Sequence, residues 1–290
     1  MVIALIRVCS FGEVLWDLFE SDRKIGGAPF NFSAHLSRLG ADVTFVSAVG
    51  SDPLGSETLE RIRAMGLSAD SVAVLPDRPT GYCAVSLIDG TPHYDLAEGV
   101  AYDYIPLPSE TVLNGRYDAL YFGTLASRNP ASARTRDALI RACVSGEVFF
   151  DINIRGRFWS PESLAGVLPY VTILKFSREE MDVFGQGDEQ SICDNLFRTY
   201  PNLRLIVLTR DKDGAWIFDG RTVLMSEKPR SSVVSTVGAG DSFSACFLYN
   251  YLAKQDLSVC LDRAIRLSDY VVTQLGAIPD YPDGLLERSR

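Results

Sequence analysis

A glycine-rich segment near the end of the chain places a carboxylate beside a turn suited to binding anions. The segment reads STVGAGDSF, spans residues 235–243, and leads into a predicted helix that begins near Asp241. Gly238 and Gly240 allow a tight turn and close approach of a ligand to the backbone. The first N–H groups of a helix lack intrahelical partners and carry partial positive charge, so they can bind a phosphoryl group. Asp241 could either cap this helix or act as a general base toward an attacking hydroxyl.

A second glycine-rich segment, near the N-terminus, contains groups that bind hydroxyls. It reads GGAPFN at residues 26–31 and precedes an amphipathic helical pattern. Gly27 would let a ligand lie against the backbone, and Asn31 offers both a donor and an acceptor. Asp17 follows an apolar stretch and could accept hydrogen bonds from two neighbouring hydroxyls. Each of these residues could also belong to an ordinary turn.

Alternating strands and helices must position these segments. The predicted strands are short apolar runs at residues 3–11, 43–49, 119–123, 148–152, 171–174 and 205–208, followed by a hairpin at 215–218 and 222–225. The predicted helices are residues 30–39, 53–65, 131–143, 189–200, 241–253 and 257–275. Near-continuous apolar strands that alternate with helices predict an α/β protein whose parallel sheet is covered on both faces.

One stretch departs from this alternation. Residues 81–88 and 93–98 have alternating polarity and are joined by a loop containing Asp89-Gly90, which predicts a hairpin without a helix. We expect this hairpin and part of residues 14–25 to form a small β lid that excludes water from a transfer reaction. The expected division assigns residues 14–31 and 79–104 to the lid and residues 1–13, 32–78 and 105–290 to a large nucleotide-binding and catalytic domain.

Composition excludes several classes of protein. The 290 residues carry a net charge of −9, and no Lys/Arg cluster forms a basic face, so we expect no nucleic-acid partner. No apolar run reaches the length of a membrane span, and Arg7 interrupts the apolar N-terminus, which reads as a strand and not a signal peptide. The six cysteines form no CxxC pair, which predicts buried free thiols in a reducing, cytoplasmic compartment.

The two glycine-rich segments together resemble the signatures of a known family. Residues 26–55 (GGAPFNFSAHLSRLGADVTFVSAVGSDPLG) and 235–243 (STVGAGDSF) resemble the N-terminal and C-terminal signatures of the ribokinase-like, PfkB-type carbohydrate kinases. The resemblance continues through residues 150–155, 174–180 and 209–214, and residues 13–17, 123–126 and 151–159 are most similar to fructokinases. It implies a three-layer α/β/α sandwich with a mostly parallel central sheet and a small β-sheet lid. It also implies transfer of the γ-phosphoryl group of ATP to a sugar hydroxyl.

The resemblance implies a role for each matching residue. Asp241 is expected to be the catalytic base. The backbone N–H groups of Ala239, Gly240 and Asp241 are expected to form the anion hole, with Gly238 shaping the turn. The sugar and the transferred phosphate are expected to contact Asp17, Gly27, Asn31, Asn153 and Arg155. The nucleotide is expected near Lys175, Thr209, Asp211 and Gly214, with Mg²⁺ near Glu180. Asp151, Asn153 and Arg155 stand at alternate positions, which predicts three polar groups on one side of a strand and its exit loop.

Three positions depart from the family pattern. Ser235 replaces the usual Asp before Thr, which bears on a monovalent cation that some relatives use. Ser177 replaces the Asn of an Asn-x-x-Glu motif, and Asp211 replaces the first Gly of a Thr-x-Gly-x-x-Gly motif. These positions affect the expected metal and nucleotide contacts, and they leave the base and the anion hole unchanged.

Other functions remain open from the sequence. Alternatives to fructose are 2-keto-3-deoxygluconate, another sugar or a nucleoside, and a non-catalytic sugar- or nucleotide-binding relative is a further alternative. A Rossmann dehydrogenase fits only the α/β alternation, because the chain has no GxGxxG motif. Exposed strand edges of the lid make a homodimer through the lid plausible.

Overall fold

The computed structural model describes residues 5–88, 91–142, 146–226 and 231–286. Its strands in chain order are β1 (Arg7–Phe11), β2 (Leu15–Leu18), β3 (Arg23–Gly26), β4 (Asp42–Gly50), β5 (Val72–Leu75), β6 (Tyr82–Ile88), β7 (Thr91–Leu96), β8 (Ala119–Phe122), β9 (Glu147–Asp151), β10 (Ile173–Ser177), β11 (Leu205–Thr209), β12 (Ala215–Phe218) and β13 (Val223–Met225). Its α-helices are α1 (Ala28–Arg38), α2 (Pro53–Ala64), α3 (Glu110–Leu113), α4 (Pro130–Ala142), α5 (Pro161–Val167), α6 (Glu189–Thr199), α7 (Ala239–Leu252) and α8 (Leu257–Val272).

A nine-stranded sheet forms the middle layer of the protein. Its strand order is β13-β12-β11-β10-β9-β8-β1-β4-β5. The seven strands from β5 to β11 pair in parallel, and β12 and β13 add an antiparallel hairpin at one edge. The carboxyl ends of the parallel strands therefore meet along one edge of the sheet, where ligands bind in open α/β folds.

Helices cover both faces of this sheet. Residues of α1, α2, α7 and α8 pack into one apolar cluster, and residues of α4, α5 and α6 pack into another. The neighbouring residues Phe149 and Phe150 of β9 belong to opposite clusters because successive strand side chains alternate between faces. This burial on both sides confirms the expected three-layer sandwich and explains why the strands are apolar throughout.

The two hairpins that lack helices, β2–β3 and β6–β7, form a second sheet. Its order is β3-β2-β6-β7, with β2 parallel to β6 and the other pairs antiparallel. The expected small β-sheet is therefore present and is built from the two stretches that lack helices. The loop residues Asp89 and Gly90 lie outside the described residues.

Several boundaries differ from the expectation. β10 begins at Ile173 and continues through Lys175 to Ser177, although the apolar run predicted a strand over residues 171–174. Lys175 can occupy a buried strand position because its ammonium is paired. A prediction based only on apolar residues therefore ends this strand too early. Three further elements, β5, α3 and α5, were not predicted, and each is short, with four to seven residues.

Two further expectations concern the membrane and the cysteines. No helix among the described residues is long and apolar enough to span a bilayer. Cys83, Cys193, Cys246 and Cys260 are free thiols and buried, as expected. Cys9 is also buried, and Cys143 lies outside the described residues.

Candidate active site

The site is centred on the start of α7, at the carboxyl edge of the main sheet. The helix begins at Ala239, so Asp241 lies in its first turn and Gly238 is the capping residue. The helix therefore begins two residues before the predicted start near Asp241, and of the two roles considered for Asp241 the helix cap is excluded. Gly238 has φ +81°, and a Cβ there would lie 2.6 Å from the carbonyl oxygen of Ala277, so only glycine fits this position.

The first amides of α7 differ in their hydrogen bonds. The N–H of Ala239 donates to the carbonyl of Thr236 at 3.3 Å. The N–H groups of Gly240 and Asp241 have no protein acceptor within the described part of the chain. Because they lie at a helix N-terminus, these two amides can stabilise negative charge on a ligand.

Asp241 is joined directly to the other glycine-rich segment. The side-chain amide of Asn31 donates to Oδ2 of Asp241 at 2.8 Å, across 210 residues of sequence. Burial raises the pKa of Asp241 to about 6, and the bond from Asn31 opposes this effect. The carboxylate is therefore ionised at neutral pH and can accept a proton. The Oδ1 atom of Asn31 is buried and has no partner among the described residues, so it remains an acceptor.

A buried ion pair supports the first turn of α7 from below. Nζ of Lys175 lies 3.0 and 2.8 Å from the two carboxylate oxygens of Asp151. Ser244 donates to Asp151 at 3.0 Å and is also within 2.9 Å of the carbonyl oxygen of Gly240. Burial alone would lower the pKa of Lys175, but Asp151 raises it above its usual value. Lys175 therefore stays charged beneath the anion-binding amides, 3.7 Å from where a Cβ of Gly240 would lie.

The small sheet brings Asp17 toward the same region. Asp17 lies on β2, and its Oδ2 is 3.6 Å from where a Cβ of Gly26 would lie. No hydrogen bond or salt bridge engages its carboxylate among the residues that the structure describes. Gly27 has φ +111°, and a Cβ there would lie 2.7 Å from the carbonyl oxygen of Glu13. The backbone is therefore packed tightly at this turn, and Asp17 keeps its oxygens available.

Arg155 is an exposed guanidinium near several carboxylates. It lowers the pKa values of Asp17, Glu13 and Asp241, each of which burial raises. Within the described ranges it forms no salt bridge, so plain ion pairing does not account for it. Asn153 has φ +38°, which ends the strand alternation, so Asp151 is buried while Arg155 is exposed. Only Asp151 belongs to strand β9, and both Asp151 and Arg155 act on the carboxylate of Asp241, so the expected row of three polar groups on one side stays a prediction.

Glu180 links the ends of two neighbouring strands. Its two oxygens accept the backbone N–H groups of Ile154 at 2.6 Å and Ser177 at 2.8 Å. Ser177 and Glu180 form a reciprocal capping box, which gives the serine a structural role in place of the expected asparagine. Among the described residues, no group of three or more His, Cys, Asp or Glu side chains could hold a metal ion. One carboxylate suits an ion that is held mainly by phosphates and water.

The expected nucleotide residues lie where β11 turns into β12. Thr209 ends β11, and the turn continues through Asp211 to Gly214, which has φ +86°. Asp211 has φ +50°, in the left-handed region that glycine would occupy without cost. The aspartate therefore keeps the turn that the family pattern predicts, at some cost in backbone strain.

These groups define a class of protein. A carboxylate able to accept a proton, free helix amides for an anion, and an unpaired guanidinium meet at the carboxyl edge of a doubly covered sheet. This combination defines a phosphotransferase that acts on an alcohol group. The chain belongs to the pfkB family of carbohydrate kinases, because that family's model matches residues 1–284.

Individual relatives agree with this family. The chain is 30% identical to a fructokinase of Rhizobium leguminosarum bv. trifolii, over 88% of this chain and 84% of the relative. It is 26% identical to an ATP-dependent 6-phosphofructokinase of Thermoanaerobacterium thermosaccharolyticum, over 95% and 91% of the two chains. A solved fructokinase double mutant of Vibrio cholerae O395, with fructose, ADP and potassium ion bound, superposes with a TM-score of 0.84 at 21% identity, covering 96% of each chain. The expected family and the ribokinase-like fold are thus confirmed.

The structure adds residues that the sequence analysis did not select. Glu13 is buried near Asp241 and Arg155, and burial raises its pKa to about 7. Ser244 holds the carboxylate of Asp151 and lies one helical turn after Gly240. Glu13 lies in the segment 13–17 that is similar to fructokinases. Its charge within an apolar stretch could have identified it from the sequence. Ser244 offered none, because a serine in a helix is common.

Proposed function

We propose that this carbohydrate kinase is a fructokinase, which transfers the γ-phosphoryl group of ATP to a hydroxyl of fructose. The observation that carries the proposal is the hydrogen bond between Asn31 and Asp241 beside the free amides of α7. It joins a hydroxyl-binding segment to a base and an anion site. Fructose as the acceptor is supported by the fructokinases among the relatives.

In the proposed reaction, Asp241 accepts the proton of the attacking sugar hydroxyl. The hydroxyl oxygen forms a bond to the γ-phosphorus while the bond from that phosphorus to the β–γ bridging oxygen breaks, leaving ADP. The amides of Gly240 and Asp241 and the guanidinium of Arg155 stabilise the charge on the transferring group. Lys175 strengthens this site from beneath the turn, as a fixed positive charge.

The proposed sugar site lies between the two sheets. Asp17 and the Oδ1 atom of Asn31 would accept hydrogen bonds from sugar hydroxyls, and Gly27 would let the ring lie against the backbone. Asn153 and Arg155 would contact the sugar and the transferred phosphate from the opposite side. Residues 14–31 and 79–104 would act as the lid over this site, attached to the large domain of residues 1–13, 32–78 and 105–290.

The proposed nucleotide site uses the turn after β11. Thr209, Asp211 and Gly214 would line it, and Mg²⁺ would arrive with ATP and contact Glu180. The magnesium ion would neutralise charge on the phosphates. A monovalent cation is a weaker proposal, because Ser235 replaces the usual carboxylate and its Oγ accepts the N–H of Val237 at 3.3 Å.

The experiment that tests this function is a coupled ADP-release screen. Purified protein receives MgATP with fructose, ribose, tagatose, 2-keto-3-deoxygluconate, fructose 6-phosphate or a nucleoside. We expect the highest kcat/KM with fructose, and at least a hundredfold loss of turnover in Asp241→Asn. A higher kcat/KM with another acceptor would refute fructose as the substrate. No ADP release with any acceptor would favour the non-catalytic relative, whereas ADP release without an acceptor would show hydrolysis of ATP and refute transfer to a sugar.

Location and assembly are smaller proposals. The buried free cysteines support a reducing compartment, and we infer the cytoplasm.

β3 and β7 are the edge strands of the small sheet, and a homodimer would pair or cover them. The oligomeric state follows from light scattering of the purified protein.

A further inference from the structure

The segment that follows α8 packs against the turn at the start of α7. A Cβ placed on Gly238 would lie 2.6 Å from the carbonyl oxygen of Ala277 and 2.7 Å from the Cα of Ala277. The backbone of Ala277 therefore lies directly behind the turn that leads to the amides of Gly240 and Asp241. Because protein interiors are closely packed, the position of Ala277 limits the conformations that this turn can adopt.

A buried histidine of α1 holds this carbonyl group. Nε2 of His35 lies 2.8 Å from the carbonyl oxygen of Ala277, and Nδ1 contacts the hydroxyl of Tyr281. A carbonyl oxygen can only accept a hydrogen bond, so Nε2 carries the ring proton and Nδ1 accepts from Tyr281. Both ring nitrogens of this fully buried side chain are therefore satisfied in one neutral tautomer.

The protonation state of the ring agrees with these contacts. Burial lowers the pKa of His35 to about 4, although the carbonyl of Ala277 opposes this effect. The imidazole is therefore neutral at neutral pH, and its two partners fix the tautomer. His35 thus acts as a fixed hydrogen-bond donor to the backbone of Ala277.

The same helix also contacts the proposed base. Asn31 lies on α1 one turn before His35, so the two side chains project from the same face of the helix. Asn31 donates to Asp241 at 2.8 Å. His35 reaches Gly238 through the backbone of Ala277. Helix α1 therefore supports the start of α7 at two points, one at the carboxylate and one behind the glycine turn.

Other contacts attach the segment after α8 to α1 independently of His35. Arg38 donates to the carbonyl of Ile278 at 3.3 Å and also to that of Pro279. Replacement of His35 should therefore release the carbonyl of Ala277 while the segment stays attached to α1.

We propose that His35 is a positioning residue for the anion-binding turn and acts through the carbonyl group of Ala277. The inference rests on the proposed function in one respect, because the amides of Gly240 and Asp241 are taken to bind the transferring group. The packing of Ala277 against Gly238 does not depend on that function.

Steady-state kinetics with MgATP and fructose test this role in three variants. His35→Leu keeps a buried side chain but removes the donor to Ala277, and the shorter amide of His35→Asn does not reach that carbonyl. In both variants kcat should fall about tenfold or more, because a displaced turn stabilises the transferring group less well. The KM for fructose should stay within about threefold, since the hydrogen-bonding groups of Asn31 and Asp17 are unchanged. His35→Gln places an amide N–H near the position of Nε2 and should recover at least about a third of kcat.

Asn250→Leu is the matched control, because Asn250 is also a buried polar residue with a hydrogen-bonded side chain, near the far end of α7. We expect this variant to lose stability while its kcat stays within about threefold of the unchanged protein. A normal kcat in His35→Asn, or an equal fall in Asn250→Leu, would overturn the proposal. Equal kcat values in His35→Asn and His35→Gln would also overturn it, and this comparison holds if His35→Leu fails to fold.

Hydrogen exchange tests the same role without catalysis. The N–H of Ser242 donates to the carbonyl of Gly238 at 2.9 Å, so its exchange rate reports opening of the turn. The rate should rise about tenfold in His35→Asn and change by less than about threefold in Asn250→Leu. An unchanged rate in His35→Asn would overturn the proposal even if the protein phosphorylates no sugar. Turnover of the unchanged protein is measured separately, so failure of the proposed function is distinguishable from failure of this inference.

Discussion

Asp241→Asn should abolish turnover and yet stabilise the folded protein at alkaline pH. Burial raises the pKa of Asp241 from 3.8 to about 6, against the hydrogen bond from Asn31, while the charge of Asp151 adds to the rise. An ionised carboxylate is therefore less favourable in the folded state than in the unfolded chain. Asparagine keeps an oxygen that can accept the bond from Asn31 but carries no charge.

The size and sign of this effect follow from linkage. A rise of about two pKa units corresponds to about 3 kcal/mol at most, because each unit is about 1.4 kcal/mol. Below about pH 4 the group is protonated in both states, and it does not oppose folding. Its unfavourable contribution grows as the pH rises from about 4 and is complete above about pH 6. The variant should therefore gain about 1–3 kcal/mol near pH 8 and about a third of that gain near pH 4.5.

Urea unfolding at about pH 8 and pH 4.5 measures the difference, and the coupled ADP assay measures turnover. Asp194→Asn is the control, because Asp194 is exposed on α6 and a neutral residue there should not give a pH-dependent gain. The reasoning is refuted if Asp241→Asn is equally or less stable than the unchanged protein near pH 8. It is also refuted if the gain is the same at both pH values.

Three further predictions concern the same site. Asn31→Ala removes a hydrogen bond that lowers the pKa of Asp241. The acidic limb of the pH profile of kcat/KM should therefore move from near pH 6 to higher pH, and an unchanged limb would contradict this. Gly27→Ala should lose about 2–4 kcal/mol in urea unfolding, because its Cβ meets backbone at 2.7 Å, whereas Gly166→Ala in open space should be neutral or stabilising. Asp211 has φ +50°, which a β-branched residue adopts only with strain. Asp211→Val should therefore cost about 1–2 kcal/mol of stability and raise the KM for ATP, while Asp211→Gly should do neither. Equal effects of the two changes would argue against strain at this turn.

The fold was largely predictable because its signals are local. Strands such as β4 and β11 are continuous apolar runs, and a strand buried on both faces has to be apolar. β5 was missed because it is a four-residue strand at the sheet edge with half-exposed positions, so it lacks that run. The start of α7 was misplaced because Gly238 and Gly240 disfavour helix in isolation, and the packing of Gly238 against Ala277 decides the boundary.

The site was predictable in its chemistry but not in its connections. The resemblance supplied Asp241 and Asn31 as separate candidates, and nothing in their local sequence indicates that they share a hydrogen bond. The pairing of Lys175 with Asp151 depends on two neighbouring strands in parallel register, which only the assembled sheet defines. Contacts between distant segments are therefore what the structure adds.

Those contacts also explain how a chain with a net charge of −9 can hold a highly charged anion. At physiological salt the Debye length is about 8 Å, so carboxylates elsewhere on the surface act weakly at the site. Within that distance the anion would meet free helix amides and the unpaired guanidinium of Arg155, with buried Lys175 beneath them. Asp151 keeps Lys175 charged in a place where burial would otherwise favour its neutral form. The acidic residue therefore supports anion binding here, because without it the site would lose its fixed positive charge.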